Sequence, residues 1–267
     1  MATLRELSNM SGRRVLITGG AGHLGRVMAE TLAELGASII LLDRPGAQFG
    51  NIQHDLIHEW KVACSCIECD LESEEERIRV IQEIKSDGKG LNCLINNAAF
   101  GGTTALEGWV TSFEEQSLAT WRRALEVNLT APFHFSQAFT PELREAKGGN
   151  IINITSIYSE LGPDWRLYEG TEMGNPAAYG ASKGGLAKLT RWLATALAPD
   201  VRVNAISPGG IFRNQPDAFV ERYVKKTPLK RMATEDDFRG AVAYLASDQS
   251  TYVSGRTISV DGAWGIW

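Results

Sequence analysis

The chain has 267 residues, of which 43% are hydrophobic and 22% charged, and its formal net charge is -5. That length suits one large α/β domain with a filled core, and the mild acidity argues against a general polyanion binder, so no nucleic-acid partner is expected. No run approaches the ~18 apolar residues of a membrane span, and the opening stretch to Arg14 lacks the apolar core of a signal peptide. A cytoplasmic protein with no membrane partner is therefore expected.

Short β-rich runs alternate with helical ones along the chain. Val15–Ile17 reads as the first strand. After a glycine-rich turn, Leu24, Val27, Met28, Thr31, Leu32 and Leu35 recur at helical spacing, and Gly36 ends the helix. Ser38–Leu42 is the second strand and Val62–Ile67 the third. Cys64, Cys66 and Cys69 crowd around that third strand, with His54 and His58 upstream. Their spacing matches no paired CxxC site, so free thiols on a strand are expected rather than a metal centre. A disulfide framework is not expected in a chain of this size.

Ser73–Glu76 has capping-box form, and Ile78, Ile81 and Ile84 follow as one apolar face. Leu91–Ile95 is the fourth strand. A long helical stretch runs from Ser117 to Phe139, and Pro132 should bend it. Ile151–Ile154 is the fifth strand, Ala177–Leu197 a helix, and Val201–Ile206 the sixth strand. Thr234–Ala246 reads as a helix and Thr257–Val260 as the last strand. Unbroken apolar strands alternating with helices predict a parallel sheet covered on both faces. No linker or internal repeat interrupts the pattern. The expected fold is α/β: one doubly wound domain over residues 1–267, with a mostly parallel seven-stranded sheet.

The first turn reads Thr18-Gly19-Gly20-Ala21-Gly22-His23-Leu24-Gly25. It follows a strand and opens a helix, the context in which glycines let the backbone approach a pyrophosphate at a helix N-terminus. Asp43 ends the second strand. A carboxylate there can accept from both adenosine ribose hydroxyls and repels a 2′-phosphate, which favours NAD over NADP. Adjacent Arg44 could soften that preference by pairing with a phosphate.

Tyr179 and Lys183 are four residues apart on a predicted helix, so the phenol and the ammonium share a face. A nearby cation favours phenolate and is expected to lower the tyrosine pKa.

Six motifs in order resemble the classical short-chain dehydrogenase/reductase family along nearly the whole chain. Besides the Tyr179–Lys183 pair, Asn96-Asn97-Ala98-Ala99 follows the fourth strand, and Val127-Asn128 sits in the next helix. Ile154-Thr155-Ser156 ends the fifth strand, Ser207-Pro208-Gly209-Gly210-Ile211 follows the sixth, and Val260-Asp261-Gly262 closes the chain. The resemblance implies a Rossmann domain and an oxidoreductase interconverting a secondary alcohol and a ketone. It implies that Tyr179 is the acid/base and that Ser156 holds the reacting oxygen. It also implies that Lys183 holds the nicotinamide ribose and tunes Tyr179, and that Asn128 supports a water. The cofactor would meet Gly19, Gly22, His23, Leu24, Gly25, Asp43, Asp70, Leu71, Asn97, Ala98, Tyr179, Lys183, Pro208, Gly209 and Ile211. No metal is expected in the reaction.

This chain departs from the family pattern in places. His23 fills the usual middle glycine of the turn, Ala99 replaces a glycine, and Arg213 stands where a threonine is usual, so Arg213 or Asn214 could face an anionic substrate. Between Ser156 and Tyr179 lies an extra segment, Gly162–Met173, rich in charge and aromatic rings. Aromatic faces beside Asp164, Arg166 and Glu169 suit a polyhydroxylated, carbohydrate-like small-molecule substrate. The pattern is also similar to family members associated with bacterial surface-glycan sugar pathways. Two alternatives stay open: a 3-oxoacyl-[acyl-carrier-protein] reductase, and a non-catalytic nucleotide-sensing member of the fold. Apolar residues on more than one helix face, Trp121, Leu125, Leu129 and Phe133 on one helix and Leu186, Leu189, Trp192 and Leu193 on another, predict a homotetramer, with a homodimer next.

Overall fold

The computed structural model describes residues 1–101 and 104–266. The strands are β1 (Arg14–Thr18), β2 (Ser38–Asp43), β3 (Cys64–Glu68), β4 (Cys93–Asn96), β5 (Asn150–Ile154), β6 (Arg202–Pro208) and β7 (Thr257–Val260). They form one sheet in the order β3-β2-β1-β4-β5-β6-β7, and every neighbouring pair is parallel. The predicted α/β class and strand set are thus what the chain adopts.

The helices are α1 (Leu4–Ser8), α2 (His23–Glu34), α3 (Gly50–His58), α4 (Glu74–Ser86), α5 (Leu118–Leu125), α6 (Ala131–Ala138), α7 (Thr140–Glu145), α8 (Ala177–Ala196), α9 (Asp217–Lys226) and α10 (Arg239–Ala246). They cover both faces. Val15 and Ile17 pack with α2, α3 and α10 on one face, while Leu16 packs with α4, α6 and α8 on the other. Alternate residues of a strand point to opposite faces, so a sheet buried on both sides needs an apolar residue at every position.

The thiols divide in the same way. Cys64 and Cys66 pack on the first face and Cys69 on the second. Among the described residues, no group of three His, Cys, Asp or Glu could hold a metal ion. No helix among them is long and apolar enough to cross a membrane.

Three expected elements differ in detail. The stretch from Ser117 breaks before Pro132 rather than at it: α5 ends at Leu125, a π-turn spans Glu126–Thr130, and α6 begins at Ala131. Proline has no N–H and its ring excludes the carbonyl four residues back, so the backbone is displaced around Asn128. The capping box at Ser73 forms only in half. Ser73 Oγ accepts from the Glu76 N–H at 3.2 Å, but the Glu76 carboxylate pairs with Arg79 at 2.8 Å. The last helix opens as a 3₁₀ turn, Glu235–Phe238, with Thr234 and Asp237 as its capping box, and α10 proper starts at Arg239. Sequence periodicity did not show α1, α3, α7 or α9.

Candidate active site

The strand order reverses beside β1, where β1 and β4 meet at the carboxyl edge of the sheet. That is where doubly wound sheets bind ligands. The glycine turn lies there. Gly19 has φ +66°, and a Cβ on Gly25 would lie 2.1 Å from Gly19 O, so this turn closes only with glycine. Gly22 caps α2 without a side-chain bond, leaving the first-turn N–H groups uncapped by any side chain. His23 follows, exposed, as the first residue of α2, while Leu24 and Gly25 are buried beneath. An uncapped helix N-terminus behind a tight glycine turn fits a diphosphate.

Asn97 and Ala98 fasten this turn from β4. Asn97 Nδ2 donates to Thr18 O at 2.9 Å and Gly19 O at 3.1 Å. Thr18 Oγ1 accepts from the N–H groups of Asn97 and Ala98 at 3.0 and 3.1 Å. Asp43 accepts from Ala21 N–H at 2.9 Å and Arg44 N–H at 2.8 Å, so its carboxylate stands beside the turn with lone pairs to spare. Asp70 accepts from Glu72 N–H at 2.9 Å, and Leu71 beside it is buried. On the far side, Pro208 ends β6, Gly209 N–H donates to Val260 O at 3.0 Å, and Ile211 bridges to Ala233. The residues expected to meet a dinucleotide therefore gather along one edge of the sheet.

Tyr179 and Lys183 lie one turn apart on α8. Lys183 is buried, its Nζ donates to Ile154 O at 2.7 Å, and it lies 6.0 Å from the centre of the Tyr179 ring. Burial lowers its pKa to about 8. The expected lowering of the Tyr179 pKa is not found. Burial raises it and outweighs a hydrogen bond from Ser156 and the positive charge of Arg213, both of which lower it. The lysine sits under the ring rather than at the hydroxyl, so desolvation wins. Ser156 follows β5 and is buried, and its Oγ accepts from Tyr158 N–H at 3.2 Å. With Tyr179 it forms a pair of hydroxyls able to grip one carbonyl or carbinol oxygen.

The Asn128 side chain is fully occupied within the protein. It accepts from Phe100 N–H at 2.8 Å, and its Nδ2 faces Phe100 O at 3.1 Å and Ser182 Oγ at 3.0 Å. Pro132, four residues on, has no N–H to give the Asn128 backbone carbonyl.

The extra segment covers this centre. Leu167 and Tyr168 pack with Phe219 and Tyr223 of α9 and with buried Trp264. Tyr158 and Tyr168 share a hydroxyl hydrogen bond of 2.9 Å, and the Tyr158 ring meets Tyr179 edge-on at 6.5 Å. Of the charged residues expected to face a substrate, Asp164 and Arg166 pair within the protein, and Glu169 is held there through its backbone carbonyl. Asp164 binds Arg166 at 2.8 Å and Lys226 of α9 at 3.3 Å, and the Arg222 guanidinium donates to Glu169 O at 2.5 Å. Arg213 likewise pairs with Glu235 at 2.9 Å. Sequence reading missed Trp109, Gln116 and Asn175. With Trp165, Tyr168 and Thr171 they line a cavity of about 270 Å³. Trp109 belongs to a buried cluster with Ala124 and Ala178 against which Tyr179 packs, and the cavity lining includes neither Tyr179 nor Ser156.

A family model described as enoyl-(acyl carrier protein) reductase matches residues 19–264. The chain is 31% identical to 5-keto-D-gluconate 5-reductase of Escherichia coli (strain K12), over 97% of this chain and 98% of that protein. It superposes with a TM-score of 0.84, at 31% identity, on a short chain dehydrogenase from Leptospira borgpetersenii with bound NAD+, covering 99% of this chain and 98% of that one. A gluconate 5-dehydrogenase from Burkholderia cenocepacia in complex with NADP and tartrate gives a TM-score of 0.85 at 27% identity, covering 99% of this chain and all of the other (100%). With the ordered site residues on one sheet edge, these matches make the chain a member of the short-chain dehydrogenase/reductase family, oxidoreductases that act on CH–OH groups.

Proposed function

We propose that this chain is a cytoplasmic, NAD-preferring dehydrogenase that interconverts a secondary alcohol and a ketone on a polyhydroxylated, sugar-like substrate. The observation that supports the substrate class is the cavity walled by Trp109 and Tyr168, which connect to Tyr179 through the Trp109 cluster and through Tyr158. Trp109, Trp165 and Tyr168 offer ring faces for the CH face of a sugar or polyol, and Thr111, Gln116, Thr171 and Asn175 offer hydroxyl-pairing groups between them. An acyl thioester reductase would expect NADPH and a basic docking patch. Asp43 at the end of β2 opposes the 2′-phosphate, and the charged lining residue of the cavity is acidic Glu172. A non-catalytic sensor is disfavoured by Lys183, a buried amine that costs stability and whose use is to serve Tyr179 and the ribose.

The chemistry follows from the residues. A bound nicotinamide supplies the hydride acceptor or donor. Ser156 orients the reacting oxygen, and Tyr179 takes the carbinol proton in oxidation or returns it in reduction. Lys183 has two further N–H groups beyond its bond to Ile154 O, and these suit ribose hydroxyls.

Assembly is part of the proposal. Leu129, Phe133, Gly185, Leu189 and Trp192 line an outward apolar groove of about 430 Å³ on α6 and α8, and Trp192 is 60% exposed. Leu186 and Leu193, the other apolar residues named on this helix, are buried in the core. The groove suits pairing of these helices across a two-fold axis into a homotetramer or homodimer.

The test is a dehydrogenase screen over sugar acids, polyols and acyl thioesters with NAD and NADP, read at the nicotinamide absorbance, with Tyr179→Phe as control. A polyhydroxylated substrate should turn over with NAD, and the Phe variant should lose about 10²–10⁴ in kcat while still binding NAD. Turnover confined to acyl thioesters with NADP would overturn the reading.

A further inference from the structure

Arg77 holds a position that belongs to the core. It heads the buried face of α4, followed by Val80, Ile81 and Ile84. Its side chain is 2% exposed. Three groups from three different segments surround its guanidinium. It donates to Leu71 O, to Glu126 Oε1 at 2.6 Å, and to His134 Nδ1 at 3.2 Å. Leu71 borders the adenine end of the nucleotide site. Glu126 opens the π-turn that contains Asn128, and His134 lies on α6 just beyond it.

An apolar side chain would fill this place at less cost than a buried charge. A buried guanidinium instead requires that its partners keep their positions together, because any partner that moves leaves a charge unpaired. The π-turn has particular need of such an anchor. Its carbonyls are displaced from the ordinary ladder, and Pro132 offers no N–H to them. A second bridge runs parallel. Arg123 donates to both Glu72 oxygens, at 2.7 and 2.8 Å, and its guanidinium lies 5.7 Å from the Phe100 ring centre. Asn128 grips the Phe100 backbone, and Ser182 Oγ, its other partner, donates to Tyr179 O at 2.9 Å. Polar contacts therefore connect the β3 loop to the helix turn that carries Tyr179.

We propose that Arg77 is a positioning residue that couples the adenine end of the nucleotide site to the π-turn holding Asn128, so that binding of the adenosine half alone firms the catalytic half. This rests on the nucleotide site as read above. The test is hydrogen–deuterium exchange of the whole protein with and without ADP-ribose, a probe that has both riboses and the diphosphate but no nicotinamide. Amides of 68–73 should slow on binding. Those of 124–131 should also slow, by about fivefold or more relative to β5 and β6. Arg77→Lys keeps the charge but cannot reach three partners, so it should retain the first protection and lose the second. Protection confined to 68–73 in the wild-type protein overturns the coupling and leaves the nucleotide reading intact. That measurement stands even if the variant folds poorly. Undiminished protection of 124–131 in a folded Arg77→Lys variant also overturns it. If ADP-ribose protects neither region, the nucleotide reading falls and the coupling with it.

Discussion

Lys183 is where catalysis and stability pull apart. The residue is 2% exposed, and its amine's hydrogen bond goes to a neutral carbonyl, Ile154 O, at 2.7 Å. Burial takes its pKa from 10.5 to about 8. At ~1.4 kcal/mol per pH unit, that gap is worth about 3 kcal/mol. The folded-state pKa lies below the unfolded one. Below pH 8 both states carry the charge and the folded state bears the whole penalty. Between about pH 8 and 10.5 the unfolded state binds more protons, so this group makes stability rise with pH.

Lys183→Met removes the charge and keeps most of the volume, but it orphans the Ile154 carbonyl, which costs about 1–2 kcal/mol. The variant should therefore be more stable than the wild type at pH 7 by about 1–2 kcal/mol. It should also lack the wild-type gain between pH 8 and 10, while kcat falls by about 10² or more. Urea unfolding followed by tryptophan fluorescence at pH 7 and pH 9.5 gives both comparisons. A variant less stable at pH 7, with the same pH slope as the wild type, would refute the reasoning.

Asp43→Ala should raise KM for NAD about tenfold or more and narrow the gap to NADP, because a charge-assisted pair of ribose contacts is lost along with the repulsion. Parallel kinetics with both cofactors check it, and an unchanged preference would assign selectivity elsewhere. His134 has its pKa lowered by burial and by Arg77, so its share of stability is full above pH 6.5 and is lost as pH falls through the folded value. His134→Asn keeps an acceptor for Arg77 and should flatten the loss of urea midpoint between pH 7 and 5. If the proposed oligomer forms through the α6–α8 groove, Phe133→Ser with Trp192→Ser should shift it toward smaller species in light scattering, with the circular dichroism spectrum unchanged, since both side chains face outward from the fold.

The strands were legible because the sheet is covered twice. Val15, Leu16 and Ile17 must all be apolar although they point to opposite faces, and the run is visible without knowing the partners. Tyr179 and Lys183 were legible for a similar reason: their relation is local, one helical turn. The pKa of each was not, because burial is supplied by residues far away in sequence, and it reversed the expected direction for Tyr179. The π-turn was also hidden. Leu125 to Ala131 reads as ordinary helix, and only Pro132, together with the distant grip on Phe100 and Ser182, displaces Asn128 from the helical register. Helix α9 escaped notice because its apolar face is short. Phe219 and Tyr223 are completed by Leu167 and Trp264, residues on other segments.

The extra segment shows where a compositional argument fails. Charged residues that follow Ser156 in sequence count as available to a substrate only while their other neighbours are unknown. In the fold, Asp164 has Arg166 on one side and Lys226 on the other, and both hold its carboxyl well below the usual range. A carboxylate engaged in this way fastens the segment to α9 and has little left to offer a hydroxyl. The cavity wall presents the exposed ring of Trp165 and the neutral polar side chains of Gln116, Thr171 and Asn175, of which Thr171 already donates to Tyr168 O at 2.8 Å and accepts from Met173 N–H at 3.2 Å. Charge in this segment sets where the wall stands, and the aromatic and neutral polar groups set what can rest against it. On the proposed function, recognition of a polyhydroxylated substrate would rest on shape and hydroxyl pairing at a fixed surface, which rejects a ligand by leaving a buried polar group unmatched.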